Sequence, residues 1–189
     1  MKKVFSIILF MFFVLHTFAD EPLLIPENYI IYSKNERYFL DCNTKENITI
    51  CYEIPYFENN DEVEIDYICE LENFAIEKWK ITECGLNAYI SNNGEFCVLD
   101  FHGELVPTNV YKNYVLFKVY KNGKEHGKIL LSDLVQKKRN LQKTVSHNYW
   151  GKIKLFEDNG ILFETVEGEK WFDFSSKKIV KKSNKKGIF

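Results

Sequence analysis

Arginine is nearly missing from this chain: Arg37 and Arg139 are the only two, so lysine carries almost all the positive charge. With abundant Asn and Ile, that usage fits an AT-rich coding sequence, most simply a bacterial one. Positive charge is not in excess either. Without Lys2 and Lys3 the remaining 23 basic and 27 acidic residues leave a net charge of −4. That balance excludes, by composition, a basic nucleic-acid binder, and no nucleic-acid partner is expected. No second long apolar run follows the first, so no transmembrane segment is expected once the leader is removed. There is no phosphate-cradling Gly-rich loop, no His-Glu-x-x-His, no Cys-x-x-Cys and no cysteine pair at zinc-ribbon spacing. Each absence removes one common route to catalysis, and no cofactor or metal is expected.

What is present begins with "MKKVFSIILFMFFVLHTFAD". Lys2 and Lys3 form a positive head, Val4 to Phe18 is an almost unbroken apolar run, and Thr17-Phe18-Ala19 offers small residues at −3 and −1 of a cut after Ala19. The run is short and a cleavage site follows it, so residues 1–19 read as a secretory signal peptide rather than a spanning helix. No cysteine stands at the cut, which argues against a lipid anchor. The expected product is an exported protein, periplasmic or secreted. Its remaining length suits one domain with a core of its own.

Five cysteines remain: Cys42, Cys51, Cys69, Cys84 and Cys97. Export into an oxidising compartment favours one or two disulfides, and the odd count leaves at least one thiol over. Cys42 and Cys51 flank a hairpin turn at "NTKEN" and form the candidate disulfide. The alternative is that the cysteines serve as small buried hydrophobes.

Strand signals dominate. "NYIIYS", "RYFLDC", "ITICYEI", "NAYIS", "EFCVLDF", "NYVLFKVY", "KIKLFE", "ILFETV" and "KWFDFS" are short, aromatic or β-branched, and bounded by Asn, Gly, Asp, Lys or Ser. Asn-Gly at 93–94, 122–123 and 159–160 supplies the positive φ of tight hairpins. A weak repeat emerges on alignment: "IYSKNERYFLDC" (31–42), "YISNNGEFCVLD" (89–100) and "LFEDNGILFETV" (155–166), about 58 and then about 66 residues apart. Each has an apolar lead, a polar turn and an alternating strand. Three copies are too few to close an ordinary propeller, so an open stack of meanders or a sandwich is expected.

Two segments break the strand pattern. "ILLSDLVQKKRNLQ" (129–142) predicts a short helix from Ser132, as N-cap, to about Lys138, with Asp133 favouring the first turn. "ELENFAIEKW" (70–79) reads as a helical turn or a strand. Charge is uneven as well. Glu53 to Glu77 holds nine acidic residues and no basic one, and Lys177 to Lys186 holds six lysines and no acid. A solvated loop and a frayed tail are the plain readings. The functional readings are a partner-binding acidic loop and a tail that touches an anionic surface. The acidic run lacks EF-hand spacing.

Two pairs are candidates for chemistry. In "TVSHNYWG" (144–151) Ser146 and His147 invite comparison with a nucleophile and base, which need a hydrogen bond and a third, orienting group. Neighbours on a strand point to opposite faces, so the two are expected not to bond each other, and no Gly-x-Ser-x-Gly elbow surrounds Ser146. The structural reading has Tyr149 and Trp150 opening a strand into the core, Gly151 allowing close backbone passage, and His147 bonding a backbone group. In "LDFHGEL" (99–105) Asp100 and His102 share one face of a strand and form the second weak candidate. With His126 and His147 scattered, a metal centre lacks its third and fourth ligands. Asn47-Ile48-Thr49 is an N-glycosylation sequon, which matters only in a eukaryotic source.

Taken in order, "YSKNERYFL…NITICYEI", "YISNNGEFCVLDF", "GKILLSDLV", "TVSHNYWG" and "LFEDNGILFETVEGEKWFDFSSKKI" resemble a broad set of functionally uncharacterised exported bacterial proteins. In that set a Ser-x-x-Gly-x-Tyr hairpin, a second such hairpin, a Leu-rich "x-L-x-D-L" helix and an aromatic "S-x-x-W" segment follow in this order. The resemblance spans roughly residues 29–180. Glu36 departs from it, standing where glycine is usual. It implies a β-rich, propeller-like or sandwich-like fold and export, and it implies no catalytic residues.

The expectations are then as follows. A signal peptide at 1–19 precedes a single, mainly β domain at 20–180, and a Lys-rich flexible tail closes the chain at 181–189. The domain is built of antiparallel meanders and hairpins with one or two short helices. The expected role is non-catalytic binding of an envelope protein or a surface glycan. The alternative is a hydrolytic or metal-assisted enzyme using Asp100 and His102. A redox or disulfide-linked assembly role for the odd cysteine is the third reading.

Overall fold

Each repeated segment folds as a hairpin at one edge of its own sheet. The computed structural model describes residues 28–55 and 74–181. Residues 1–27, 56–73 (with Cys69 and the middle of the acidic run) and 182–189 lie outside the described residues. β1 (Asn28–Tyr32), β2 (Tyr38–Asn43), β3 (Ile48–Glu53) and β4 (Ile76–Ile81) form a four-stranded antiparallel meander. β5 (Asn87–Ile90), β6 (Phe96–Asp100), β8 (Val115–Lys121) and β9 (Lys124–Leu130) form a second. β12 (Gly151–Glu157), β13 (Gly160–Thr165), β14 (Gly168–Asp173) and β15 (Lys178–Lys181) form a third. A small sheet interrupts the series, in which β7 (Leu105–Pro107) pairs with β11 (His147–Tyr149) and β11 with β10 (Gln142–Lys143). The protein is mainly β and antiparallel, as the strand signals predict.

The repeat is visible at the level of single hydrogen bonds. Ser33 Oγ accepts from Tyr38 N at 3.0 Å, and Ser91 Oγ accepts from Phe96 N at 2.9 Å. Ser33 Oγ donates to Asn35 Oδ1 and Ser91 Oγ to Asn93 Oδ1, both at 2.7 Å. The residue closing each turn is left-handed: Glu36 at φ 57° and Gly94 at φ 69°. Glu36 thus takes the backbone conformation that the missing glycine would have supplied. The turns also hold one another. Asn35 N and Nδ2 donate to Asn92 Oδ1 and O at 3.0 and 2.9 Å, and Asn92 N donates to Asp158 Oδ1 at 2.6 Å. Asn159-Gly160 differs from expectation, because Gly160 does not have a positive φ. Glycine is needed there for room: a Cβ would stand 2.3 Å from Phe172 O and 2.5 Å from the Trp171 ring.

Period-two alternation sets the packing order of the sheets. All five residues of β6 are buried. Cys97 and Leu99 enter one core with Tyr38, Leu40, Trp79 and Ile90, while Phe96 and Val98 enter another with Phe117, Trp150, Phe163 and Phe172. The second sheet is therefore covered on both faces, by the first sheet on one side and the third on the other. A strand buried on both faces loses the polar alternation of an edge strand, which is why "FCVLD" is a continuous apolar run closed by one acid.

Several elements depart from the sequence reading. β4, β9 and β15 are strands, so "IEKWKI" resolves to strand and Lys178–Lys181 belongs to a sheet edge rather than to a frayed tail. The predicted helix from Ser132 to Lys138 is a single turn, α1 (Leu131–Leu134), followed by a 3-10 turn at Lys138–Asn140. Ser132 lies inside it and donates to Lys112 O at 2.8 Å; Asp133 Oδ2 accepts from Leu130 N at 2.9 Å. The helix stops because Glu167 captures the next backbone donors. Its carboxylate accepts from Gln136 N at 2.9 Å and Lys137 N at 3.2 Å. A neighbour thirty residues away outweighs local helix preference.

Candidate functional site

A cleft of about 440 Å³ opens where β9, α1 and the β14–β15 hairpin meet. Lys128 comes from β9, Ser132 and Asp133 from α1, and Gln136 from the segment after it. Lys170 and Phe172 come from one face of β14, and Lys177, Lys178 and Ile179 from the turn and edge strand beyond. Its volume falls within the range of ordinary ligand sites, about 300–1,000 Å³. Four lysines line it against a single carboxylate, Asp133.

Each lysine is held differently. Lys170 is 2% exposed, and its ammonium donates to Asp133 O at 3.3 Å and Glu167 Oε2 at 3.4 Å. A buried cation persists only when paired and hydrogen-bonded, and Glu167 supplies the charge. Burial works against the Glu167 carboxylate, but the Gln136 N–H, the Asn140 amide, the Lys137 N–H and Lys170 outweigh it and bring its pKa to about 2. The floor of the cleft is thus a closed ion pair. The rim is positive. Lys128 makes a long contact, 3.5 Å, with exposed Glu125, a kind of pair that contributes little. Lys177 is fixed by the turn before it: Asp173 Oδ1 accepts from Ser176 N at 2.6 Å, and Lys177 N donates to Asp173 O at 2.9 Å. The N–H of Ser176 and its hydroxyl hold the Asp173 carboxyl below its usual range. Lys177 sits at φ 57°, which turns the chain so that Lys177 and Lys178 both flank the opening. Such a rim attracts anions, with a strength that falls as salt rises.

A smaller cleft, about 220 Å³, lies beside the stacked turns between Tyr32, Lys34, Tyr89, Asn92, Phe156 and Asp158. Tyr89 and Phe156 stand 5.7 Å apart between ring centres and bring the second and third sheets together there.

Asp100 and His102 lie close but are not joined through the imidazole. Asp100 is buried, and its Oδ1 accepts from His102 N at 3.0 Å and Gly103 N at 2.8 Å, closing the turn after β6. The His102 ring lies tilted against Tyr114 with ring centres 4.4 Å apart, and Nδ1 shares a 3.0 Å hydrogen bond with the Tyr114 hydroxyl. Burial lowers the His102 pKa against the opposing pull of Asp100. Among the described residues no group of three or more His, Cys, Asp or Glu side chains could hold a metal ion.

Ser146 and His147 correct the sequence argument. They do bond: Ser146 Oγ and His147 Nδ1 are 2.8 Å apart. Ser146 belongs to the bend before β11, not to the strand, so strand alternation does not apply to it. The pair stands on an exposed hairpin tip beside Val145, which is 80% exposed, and His147 N donates to Thr144 Oγ1 at 3.1 Å. The aromatic half of the motif packs as the core reading requires. Trp150 is 1% exposed, its Nε1 donates to Gly103 O at 2.7 Å, and a Cβ on Gly151 would stand 2.2 Å from Glu164 O.

Cys42 and Cys51 are free thiols, both fully buried. Cys42 faces Thr49 across the ladder and Cys51 faces Leu40, so the two cysteines are diagonal neighbours. That diagonal spans about 7–8 Å, beyond disulfide reach. Of the sequon, Asn47 is engaged through its amide, with Oδ1 accepting from Cys84 N at 2.8 Å, and Thr49 is buried. The lysine cleft itself escaped the sequence reading, because its lysines lie up to fifty residues apart. Only the Lys177–Lys178 pair carried a signal, as the start of a run read as touching an anionic surface. Comparison with family models, curated proteins and solved structures returned no match to this chain.

Proposed function

We propose that this protein is exported and acts as a non-catalytic binding module, taking an anionic group of a cell-envelope glycan into the lysine-lined cleft. The observation that carries the reading is the cleft itself: about 440 Å³, four lysines and one carboxylate on its walls. The buried Lys170–Glu167 pair fixes the floor without spending the rim charges. Lys128, Lys177 and Lys178 remain to face a carboxylate, sulfate or phosphate substituent. An ammonium on a flexible stem is a point charge that suits a polymer of variable geometry better than one fixed small molecule. The lysine head and the apolar run from Val4 to Phe18 support the location.

The competing reading, a hydrolase built on Asp100 and His102, loses support because the Asp100 carboxylate is committed to two backbone N–H groups.

The test is calorimetric titration of the purified protein with a sulfated polysaccharide, with neutral dextran as control. Binding to the sulfated polymer alone is expected, weakening with salt. Replacing Lys128, Lys177 and Lys178 together by Gln is expected to weaken it by at least tenfold. Equal binding to both polymers, binding to neither, or indifference to the triple substitution would overturn the reading.

A further inference from the structure

We infer that Cys42 and Cys84 are a disulfide-forming pair, with half-exposed Cys84 as the attacking thiol and buried Cys42 as the resolving one. Tyr29, Cys42 and Thr49 stand directly opposite one another across β1, β2 and β3, and so form one row on one face of the first sheet. The segment 82–85 is hung over that row by its two ends. Tyr29 Oη donates to Gly85 O at 2.9 Å, and Thr49 Oγ1 donates to Glu83 O at 2.8 Å. Asn47 adds a third tie, accepting from Cys84 N at 2.8 Å, and Lys118 of the second sheet holds the Glu83 carboxylate. Cys84 is thereby placed over the middle of the row, which is Cys42, and its thiol donates to Gly85 O at 3.7 Å.

The two sulfurs differ in the way an exchange reaction needs. Cys42 is fully buried in the core of the first sheet, whereas Cys84 is half-buried at its edge. The neighbouring Cys42 thiol favours the Cys84 thiolate and lowers its pKa, while Cys84 and burial push the Cys42 thiol up. Of the two thiols, the accessible one whose thiolate is favoured is the nucleophile. The oxidant is a disulfide, of a small molecule or of a protein, written RSSR. The Cys84 thiolate attacks one sulfur of RSSR, forms a mixed disulfide and releases RS⁻. Cys42 then gives its proton to that RS⁻ and attacks the Cys84 sulfur, forming Cys42–Cys84 and releasing the second RS⁻, which takes up the proton Cys84 lost at the start. The two cysteines are oxidised by two electrons, and RSSR is reduced to two RSH.

The test treats the purified protein with oxidised glutathione, blocks remaining thiols under denaturing conditions, and maps the peptides by mass spectrometry before and after reduction. A Cys42–Cys84 linked peptide pair is expected, with Cys51 and Cys97 still alkylated. Closing a loop of about forty residues is expected to raise Tm by about 5–15 °C, reversibly on reduction. Cys84→Ala, at the half-exposed position, is expected to remove the linked pair and the shift, while Cys97→Ala retains the linked pair. Full alkylation of both Cys42 and Cys84 after oxidation, or either one linked to a different cysteine, would overturn the inference.

Discussion

The first two repeated turns differ at one position, and that difference makes a sharp test of how the hairpins are held. Gly94 closes its turn at φ 69°, and a Cβ there would lie 2.4 Å from Cδ1 of Tyr38. Tyr38 cannot move away easily. It is 9% exposed, its hydroxyl donates to Glu53 Oε1 at 3.2 Å, and Gly94 O accepts from Trp79 Nε1 at 2.9 Å. Gly94→Ala therefore carries two costs. The left-handed conformation costs about 1 kcal/mol, and forcing a methyl group against a held ring costs about 1–3 kcal/mol more. The sum is about 2–4 kcal/mol. With a urea slope of about 2 kcal/mol per molar, the unfolding midpoint is expected to fall by about 1–2 M. Trp79 lies against the substituted residue, so its fluorescence should follow the loss directly. Glu36→Ala is the control, since Glu36 is exposed and already left-handed at φ 57°; its effect should stay within about 0.5 kcal/mol. A folded Gly94→Ala protein with an unchanged midpoint would refute the reasoning, because it would mean that the Tyr38 ring yields at no cost.

Three further outcomes follow from named contacts. Trp150→Ala removes the largest fully buried side chain and leaves Gly103 O without its indole donor; a loss of about 3–5 kcal/mol in chemical unfolding is expected, and a loss below 1 kcal/mol would contradict the assigned core. Glu167 has a folded pKa of about 2, below its ordinary value of 4.5, so its share of stability is present above about pH 4.5 and lost as pH falls toward 2. Glu167→Gln should flatten that acid limb of a Tm-against-pH curve, and an unchanged limb would remove Glu167 from its cause. Asp100→Asn keeps one oxygen for the turn after β6 but loses the charge that favours its two N–H partners; a drop of about 1–2 kcal/mol is expected, read by urea unfolding, and no drop would show that the carboxylate does not close the turn.

The strands were legible wherever aromatic or β-branched residues alternate between turn residues, because strand burial has the period of the chain itself. β6 shows the limit of that signal. "FCVLD" announces a strand, but only its two cores show that both faces are covered. β9 was invisible for the opposite reason. "KEHGKIL" carries three charges and a glycine, and it is a strand because β8 pairs with it along its whole length. The helix expected from 132 ends early because Glu167, thirty residues on, takes its next N–H donors. At the sites the same division holds. Cys42 and Cys51 were paired by the hairpin between them, which correctly put them on adjacent strands. Register decides whether neighbours can bond, and it sets them two residues apart along the ladder while segment 82–85 brings Cys84 in from outside. Contacts that depend on sequence separation of thirty or more residues leave no local pattern to read.

The thiol pair and the lysine cleft belong to different cores, and this separates their tests. Cys42 and Cys84 pack with the first sheet's residues. The cleft is lined from the second and third sheets, with Phe172 and Ile179 in or against the other core. No lining residue of the cleft touches the row of Tyr29, Cys42 and Thr49 through a bond in the structure, and β6 stands between the two cores with two residues in each. Perturbations without shared partners add. The stability change on forming the Cys42–Cys84 bond should therefore be the same in the wild type and in the variant carrying Gln at Lys128, Lys177 and Lys178, and oxidation should leave polysaccharide affinity unchanged. Agreement would mean that the middle sheet behaves as a rigid wall. A change in affinity of threefold or more on oxidation would mean instead that β6 transmits strain from one core to the other, and the two features would then be one device.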